Sequence, residues 1–169
     1  MAGALVKIDQ IIASGNPSTM KVTGIDTTYD VYIMYFKNVV PSADDRLGIR
    51  VTKGDSIQSD ANYDNARTGL PVSGNFQDNE DVDDTKILLG TTESTGDGAF
   101  GVVHLFNFNN TEYSYVSFET EMWASTPQLF GEVGGGVHKV ASASDGISFY
   151  WNDNSTFSSG QMTLYGLKK

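Results

Sequence analysis

The run Asp78-Asn79-Glu80-Asp81-Val82-Asp83-Asp84 gathers more ligand chemistry than any other stretch of the chain. Clustered carboxylates suit a hard cation such as calcium. The spacing does not follow an EF-hand: counted from Asn79, the sixth position is Asp84 rather than Gly and the twelfth is Gly90 rather than Glu. The run is expected to be an exposed, self-repelling loop tip that holds no metal.

His104 and His138 are the only histidines, and they fall on different expected strands. A catalytic base needs a nucleophile within reach, and the chain contains no Gly-x-Ser-x-Gly elbow. His104 lies within Val102-Val103-His104-Leu105-Phe106 and reads as a histidine beside the core. Nothing marks two of the many Asp and Glu residues as a glycosidase pair. Gly134-Gly135-Gly136 lacks the strand-to-helix setting of a phosphate loop and reads as a flexible turn. With no cysteine, thiolate metal sites and disulfides are excluded. No catalytic set and no cofactor is expected. The remaining candidates are aromatic: Tyr113, Trp123, Tyr150 and Trp151 are able to stack on sugar rings or to line a subunit interface.

The chain is 169 residues long, enough for one domain with a sizeable core. Its formal net charge of −10 argues against nucleic-acid binding, which needs basic surface. No apolar run approaches the roughly 18 residues of a membrane helix. Lys7 and Asp9 interrupt the N-terminal apolar run, which makes it a poor signal peptide.

Period-two alternation is the dominant pattern, and no amphipathic helix of ordinary length is evident. Leu47, Ile49 and Val51 alternate with Arg46, Gly48, Arg50 and Thr52, which predicts a half-buried strand with the first three inward. Met162 and Leu164 alternate with Thr163 and Tyr165, so the last strand should close the domain with the first pair inward. Residues 29–40 are apolar on both faces and are expected to lie centrally in a sheet. Residues 101–108 and 113–122 form an expected hairpin about Asn109-Asn110. Residues 54–85 are polar and weakly patterned, and are expected to be long loops with at most a short strand. Eight to ten short strands in all predict an all-β antiparallel sandwich, with a jelly roll as the preferred topology. Residues 1–12 are a first strand or N-terminal arm, and residues 13–169 a single sandwich domain. Leu5, Val6, Ile8, Ile11 and Ile12 make the first segment apolar enough to dock on a partner.

Two motifs carry a resemblance. The opening Thr23-Gly24-Ile25-Asp26-Thr27-Thr28-Tyr29-Asp30-Val31-Tyr32 and the close Ser159-Gly160-Gln161-Met162-Thr163-Leu164-Tyr165-Gly166-Leu167-Lys168 resemble those of small β-rich virion proteins of tailed bacteriophages, cyanophages among them. The resemblance implies a non-enzymatic structural protein: a capsid decoration protein or a short surface knob or fibre. It implies self-assembly, most simply as a homotrimer, and contact with the major capsid protein or tail components. It places the protein in the virion, assembled in the host cytoplasm. The chain has no repeats or heptads from which to build a long fibre shaft. The alternative is a carbohydrate- or host-receptor-binding module of a phage tail fibre.

Overall fold

The computed structural model describes residues 3–72, 74–92, 97–124 and 128–168. Among these the chain forms thirteen strands and no helix: β1 (Ala4–Ile12), β2 (Thr19–Thr23), β3 (Val31–Pro41), β4 (Asp45–Lys53), β5 (Ser56–Ile57), β6 (Tyr63–Pro71), β7 (Gln77–Asp84), β8 (Ile87–Thr92), β9 (Ala99–Phe106), β10 (Ser114–Ala124), β11 (Gln128–His138), β12 (Gly146–Trp151) and β13 (Phe157–Lys168). All pairings are antiparallel. The large sheet has the order β1-β13-β3-β9-β10-β11-β6-β7. The small sheet has the order β2-β12-β4, with β5 and β8 sharing the far edge of β4. The chain crosses between sheets repeatedly, from β1 to β2 to β3 to β4, and again around β8 and β12. The result is an all-β sandwich with jelly-roll connectivity.

Alternation builds the core. Met20 and Val22, Leu47, Ile49 and Val51, and Ile147, Phe149 and Trp151 face inward from the small sheet. Tyr32, Met34 and Phe36, Val103 and Leu105, Val116 and Phe118, and Met162 and Leu164 meet them from the large one. Each fully buried side chain of this size contributes about 1.5–3 kcal/mol. The inward triad of β4 and the inward pair of β13 lie where the alternation puts them.

Several expectations are corrected. Residues 54–85 hold three strands, β5, β6 and β7, rather than long loops. β6 escapes the hydrophobic pattern because two of its inward residues are Asn65 and Arg67, which are buried among polar partners. The acidic run is not a loop tip but the edge strand β7, paired along β6. Gly134-Gly135-Gly136 is not a turn but the middle of β11, hydrogen-bonded on both sides. A Cβ on Gly136 would sit 2.8 Å from Cδ1 of Ile87, and one on Gly134 2.7 Å from the Phe118 ring, so the glycines make room for packing. On β4, Gly48 and Thr52 are buried rather than outward and wet: the Tyr150 ring covers Gly48, and Thr52 Oγ1 donates to Asp145 at 2.5 Å. β3 is interior in strand order, but only one of its faces is covered.

The two motifs of the phage resemblance meet in space. Tyr32 Oη donates to the Asp26 carbonyl at 2.7 Å and accepts the Asp26 N–H at 3.0 Å, which pins the turn before β3. The Tyr29 ring lies directly over Gly166 of β13. These residues build the fold.

Candidate functional site

The register of the large sheet places a continuous set of side chains on its outer face. Tyr165, Ile33, His104, Ser117, Gly135 and Ala66 form one level across β13, β3, β9, β10, β11 and β6. One step along the strands the level is Leu5, Leu167, Val31, Phe106, Tyr115 and Val137. One step the other way it is Thr163, Tyr35, Val102, Glu119, Val133 and Thr68. Most of the exposed large apolar side chains belong to this face, with Tyr35 44% exposed, Phe106 38% and Tyr115 46%. Tyr35 and Tyr165 meet edge to face at 5.8 Å, and His104 stacks on Phe106 at 6.4 Å. A half-exposed aromatic face of this breadth is uncommon on an isolated domain and marks a contact surface.

The outer face of the small sheet differs in kind. Arg50 lies 4.1 Å over the Tyr150 ring and donates from Nε to the Thr85 carbonyl at 2.9 Å. Beside them is a recess of about 220 Å³ lined by Ser148, Tyr150, Asn154 and Ser155 among others. The hydroxyls of Ser148 and Tyr150 are buried there without a protein partner. Burial is the main reason that the Tyr150 phenol is held well above the usual tyrosine range.

Between the sheets, near the β7 edge, sits a charged cluster. Arg67 Nη1 donates to Asn65 Oδ1 and to Asp81 Oδ2, each at 2.8 Å. Its Nε stands 3.4 Å from Glu132 Oε2, an ion pair without hydrogen-bond alignment. Burial raises the Glu132 pKa, opposed by Arg67 and Arg46. This cluster explains how Asp81 is held. Asp84 pairs with Lys86 at 3.2 Å and Asp83 with Lys139 at 2.5 Å, so part of the acidic run is neutralised locally.

The candidate aromatics are not brought together. Trp151 is buried and packs on Phe157 at 5.0 Å, so it is a core residue and not a ligand platform. Tyr150 is half-buried on the small sheet, while Tyr113 is exposed in the turn before β10. Trp123 pairs with Leu129 in the β10–β11 ladder, and its side chain lies outside the described residues. The N-terminal docking set is divided as well. β1 pairs along β13 as an edge strand; Ile8 and Ile11 pack on the core, Val6 is half-buried, and only Leu5 and Ile12 are exposed. His138 faces inward against Tyr63 at 4.6 Å, and burial lowers its pKa. The Tyr63 phenol is pushed up to about 12, chiefly by burial.

Composition alone missed the outer face of β3, β9 and β13. The apolarity of both faces of residues 29–40 is the sequence signal for it.

No protein-family model matches the sequence, and no curated protein matches it. Among solved structures, the chain is similar to galectin LEC-6 of Caenorhabditis elegans, at 10% identity and a TM-score of 0.35, covering 95% of this chain and 96% of that one. It is also similar to a toad ovary galectin in complex with thio-digalactose, at 13% identity and a TM-score of 0.33, covering 86% of this chain and 98% of that one. Neither likeness is close enough to transfer a site residue by residue.

Proposed function

We propose that the chain is a non-catalytic attachment module: a structural protein of a bacteriophage particle, of the capsid-decoration or short-knob kind, that works by packing the outer face of its large sheet against a protein neighbour. The breadth of that exposed aromatic face carries the reading, because such a surface is wetted at a cost that a protein contact removes. The placement in a virion comes from the two sequence motifs. The net charge of −10 keeps the protein soluble until a specific contact forms. The test is immunogold labelling of intact particles, followed by rebinding of purified wild-type and Val102→Glu protein to particles that lack it. Labelled particles and rebinding lost in the variant support the reading. Unlabelled particles, or rebinding indifferent to Val102→Glu, refute it.

A second reading, glycan recognition, is favoured by the Tyr150 recess. It combines a ring, a guanidinium and two unpartnered hydroxyls, the mixture that binds sugar hydroxyls and their apolar faces. The toad galectin carries a galactoside, but its likeness to this chain is one of architecture only. Titration with galactosides and other glycans decides it: binding lost on Tyr150→Ala moves the function to the small sheet.

A further inference from the structure

We propose that the occupant of the large-sheet outer face is a second copy of this chain, related by a two-fold axis running along β9. The proposal rests on the attachment reading above and specifies its partner.

The charges on this face are distributed unevenly. Lys7 and Lys37 lie toward the β1 edge, on β1 and β3. Glu119 and Glu121 lie on β10, and Asp78 and Glu80 on β7. The strands between are uncharged and aromatic, with Phe100, Val102, His104 and Phe106 along β9. A face that is basic on one side and acidic on the other is complementary to itself under only one kind of two-fold axis, the one parallel to the strands. An axis across the strands would set lysine on lysine.

The register makes the match specific. β3 and β10 flank β9, so an axis along β9 exchanges them. Glu121 pairs with Phe100 on one side of β9; on the other, Lys37 and Asn38 share the position opposite Phe100, within the irregularity between Phe36 and Val39. Each Lys37 then lies over the other copy's Glu121. The exchange also sets large residues over small ones. Ile33 falls over Ser117, and Tyr165 of β13 over Gly135 of β11. The phenylalanines of β9 meet their own copies on the axis.

The edges offer no rival contact of equal quality. β7 is acidic along its length and would repel its copy, and β1 is interrupted by a bulge between Lys7 and Asp9. Six central strands at ~4.8 Å spacing and about four outward positions per strand give roughly 600 Å² per copy. The total of about 1,200 Å² reaches the lower end of specific interfaces. The resemblance implies three copies; this face accommodates two.

Sedimentation velocity over a wide concentration range tests the proposal, with Lys37→Glu, Glu121→Lys, the double reversal and Val102→Glu beside the wild type. The wild type is expected to be a dimer. Val102→Glu should be monomeric and, at dilutions where the wild type is itself monomeric, should melt at the same temperature. Each single reversal should weaken the dimer about tenfold, and the double reversal should restore it. A monomer at every concentration, a trimer, or a dimer insensitive to both single reversals overturns the two-fold pairing. Particle rebinding separates this from the broader reading: monomeric protein that rebinds particles through Val102 overturns the second copy alone.

Discussion

The two sheets contribute to one core in the same way and part company on their outer faces. On the large sheet, outward positions carry Tyr35, Phe106, Tyr115 and Tyr165, half-exposed, with Tyr35 edge to face on Tyr165 and Phe106 stacked with His104. On the small sheet they carry Lys21, Arg46 and Arg50, with the Tyr150 ring beneath Arg50. On the small sheet's face Arg50 donates to Thr85 and Lys21 pairs with Asp55, while the Ser148 and Tyr150 hydroxyls are left without a protein partner. The large sheet's face leaves apolar area that only a second body can cover. The difference shows that inward alternation establishes the fold and leaves the outward residues of the same strands free to differ in kind.

The sharpest break of the comparison sets two substitutions on the large sheet against each other. Leu164→Asp buries an unpaired carboxylate in the core and should cost about 4 kcal/mol or more, enough to unfold a marginal domain. Val102→Glu, on the outward face of the adjacent sheet region, should change folding stability by about 0.5 kcal/mol or less. Urea titration of both, at dilutions where the wild type is monomeric, measures the pair; comparable losses would mean that the outer face is buried within the monomer. Next in size is Gly136→Val, which drives a branched side chain into Ile87 and should cost about 2–3 kcal/mol without altering association. Wild-type stability in that variant would show that β8 does not pack on β11 as described.

How much was legible follows the same division. Inward positions of β4 and β13 announce themselves because apolar residues recur at period two. β6 was hidden because Asn65 and Arg67 occupy inward positions, where Arg67 bonds Asn65 and Asp81 and stands beside Glu132 of β11. β7 was hidden because an edge strand with exposed side chains has no hydrophobic pattern; its strand state comes from backbone pairing with β6. The glycines of β11 look like a turn until their neighbours, Phe118 and Ile87, are known. The contact face needs register, since Tyr35, Val102, Tyr165 and His104 come from three strands that the sequence does not order.

A smaller effect concerns what lies beneath the large face. His138 points inward, and burial holds its pKa below 6.5, with Asp60 opposing. A histidine kept neutral by the fold takes up its proton more readily when unfolded. Its stabilisation is therefore complete above pH 6.5 and is lost as pH falls through the lowered value. His138→Phe keeps a ring against Tyr63 and should remove that part of the pH dependence. Glu132 runs the opposite way: its raised pKa gives a contribution complete below 4.5 and lost as pH rises through the raised value. Denaturant melts at a series of pH values, with Glu132→Gln as the second background, separate the two. An unchanged acid slope in His138→Phe would assign the loss to another group.

The smallest expected effect tests the Arg50 contacts of the small sheet. Arg50→Lys keeps the charge but gives up the planar guanidinium stacked 4.1 Å over Tyr150, and with it the Nε–H donated to Thr85. Lysine is a point charge on a flexible stem and cannot replace both contacts at once. The expected cost is about 0.5–1 kcal/mol in urea unfolding, since a partly exposed cation–π contact and one hydrogen bond are worth about that much. Association through the large sheet should be untouched, because Arg50 lies on the opposite face of the sandwich. A loss of stability with unchanged self-association would confirm that Arg50 makes its contacts within the monomer. A change in association with no loss of stability would reverse the comparison and make the basic face the one that meets a partner.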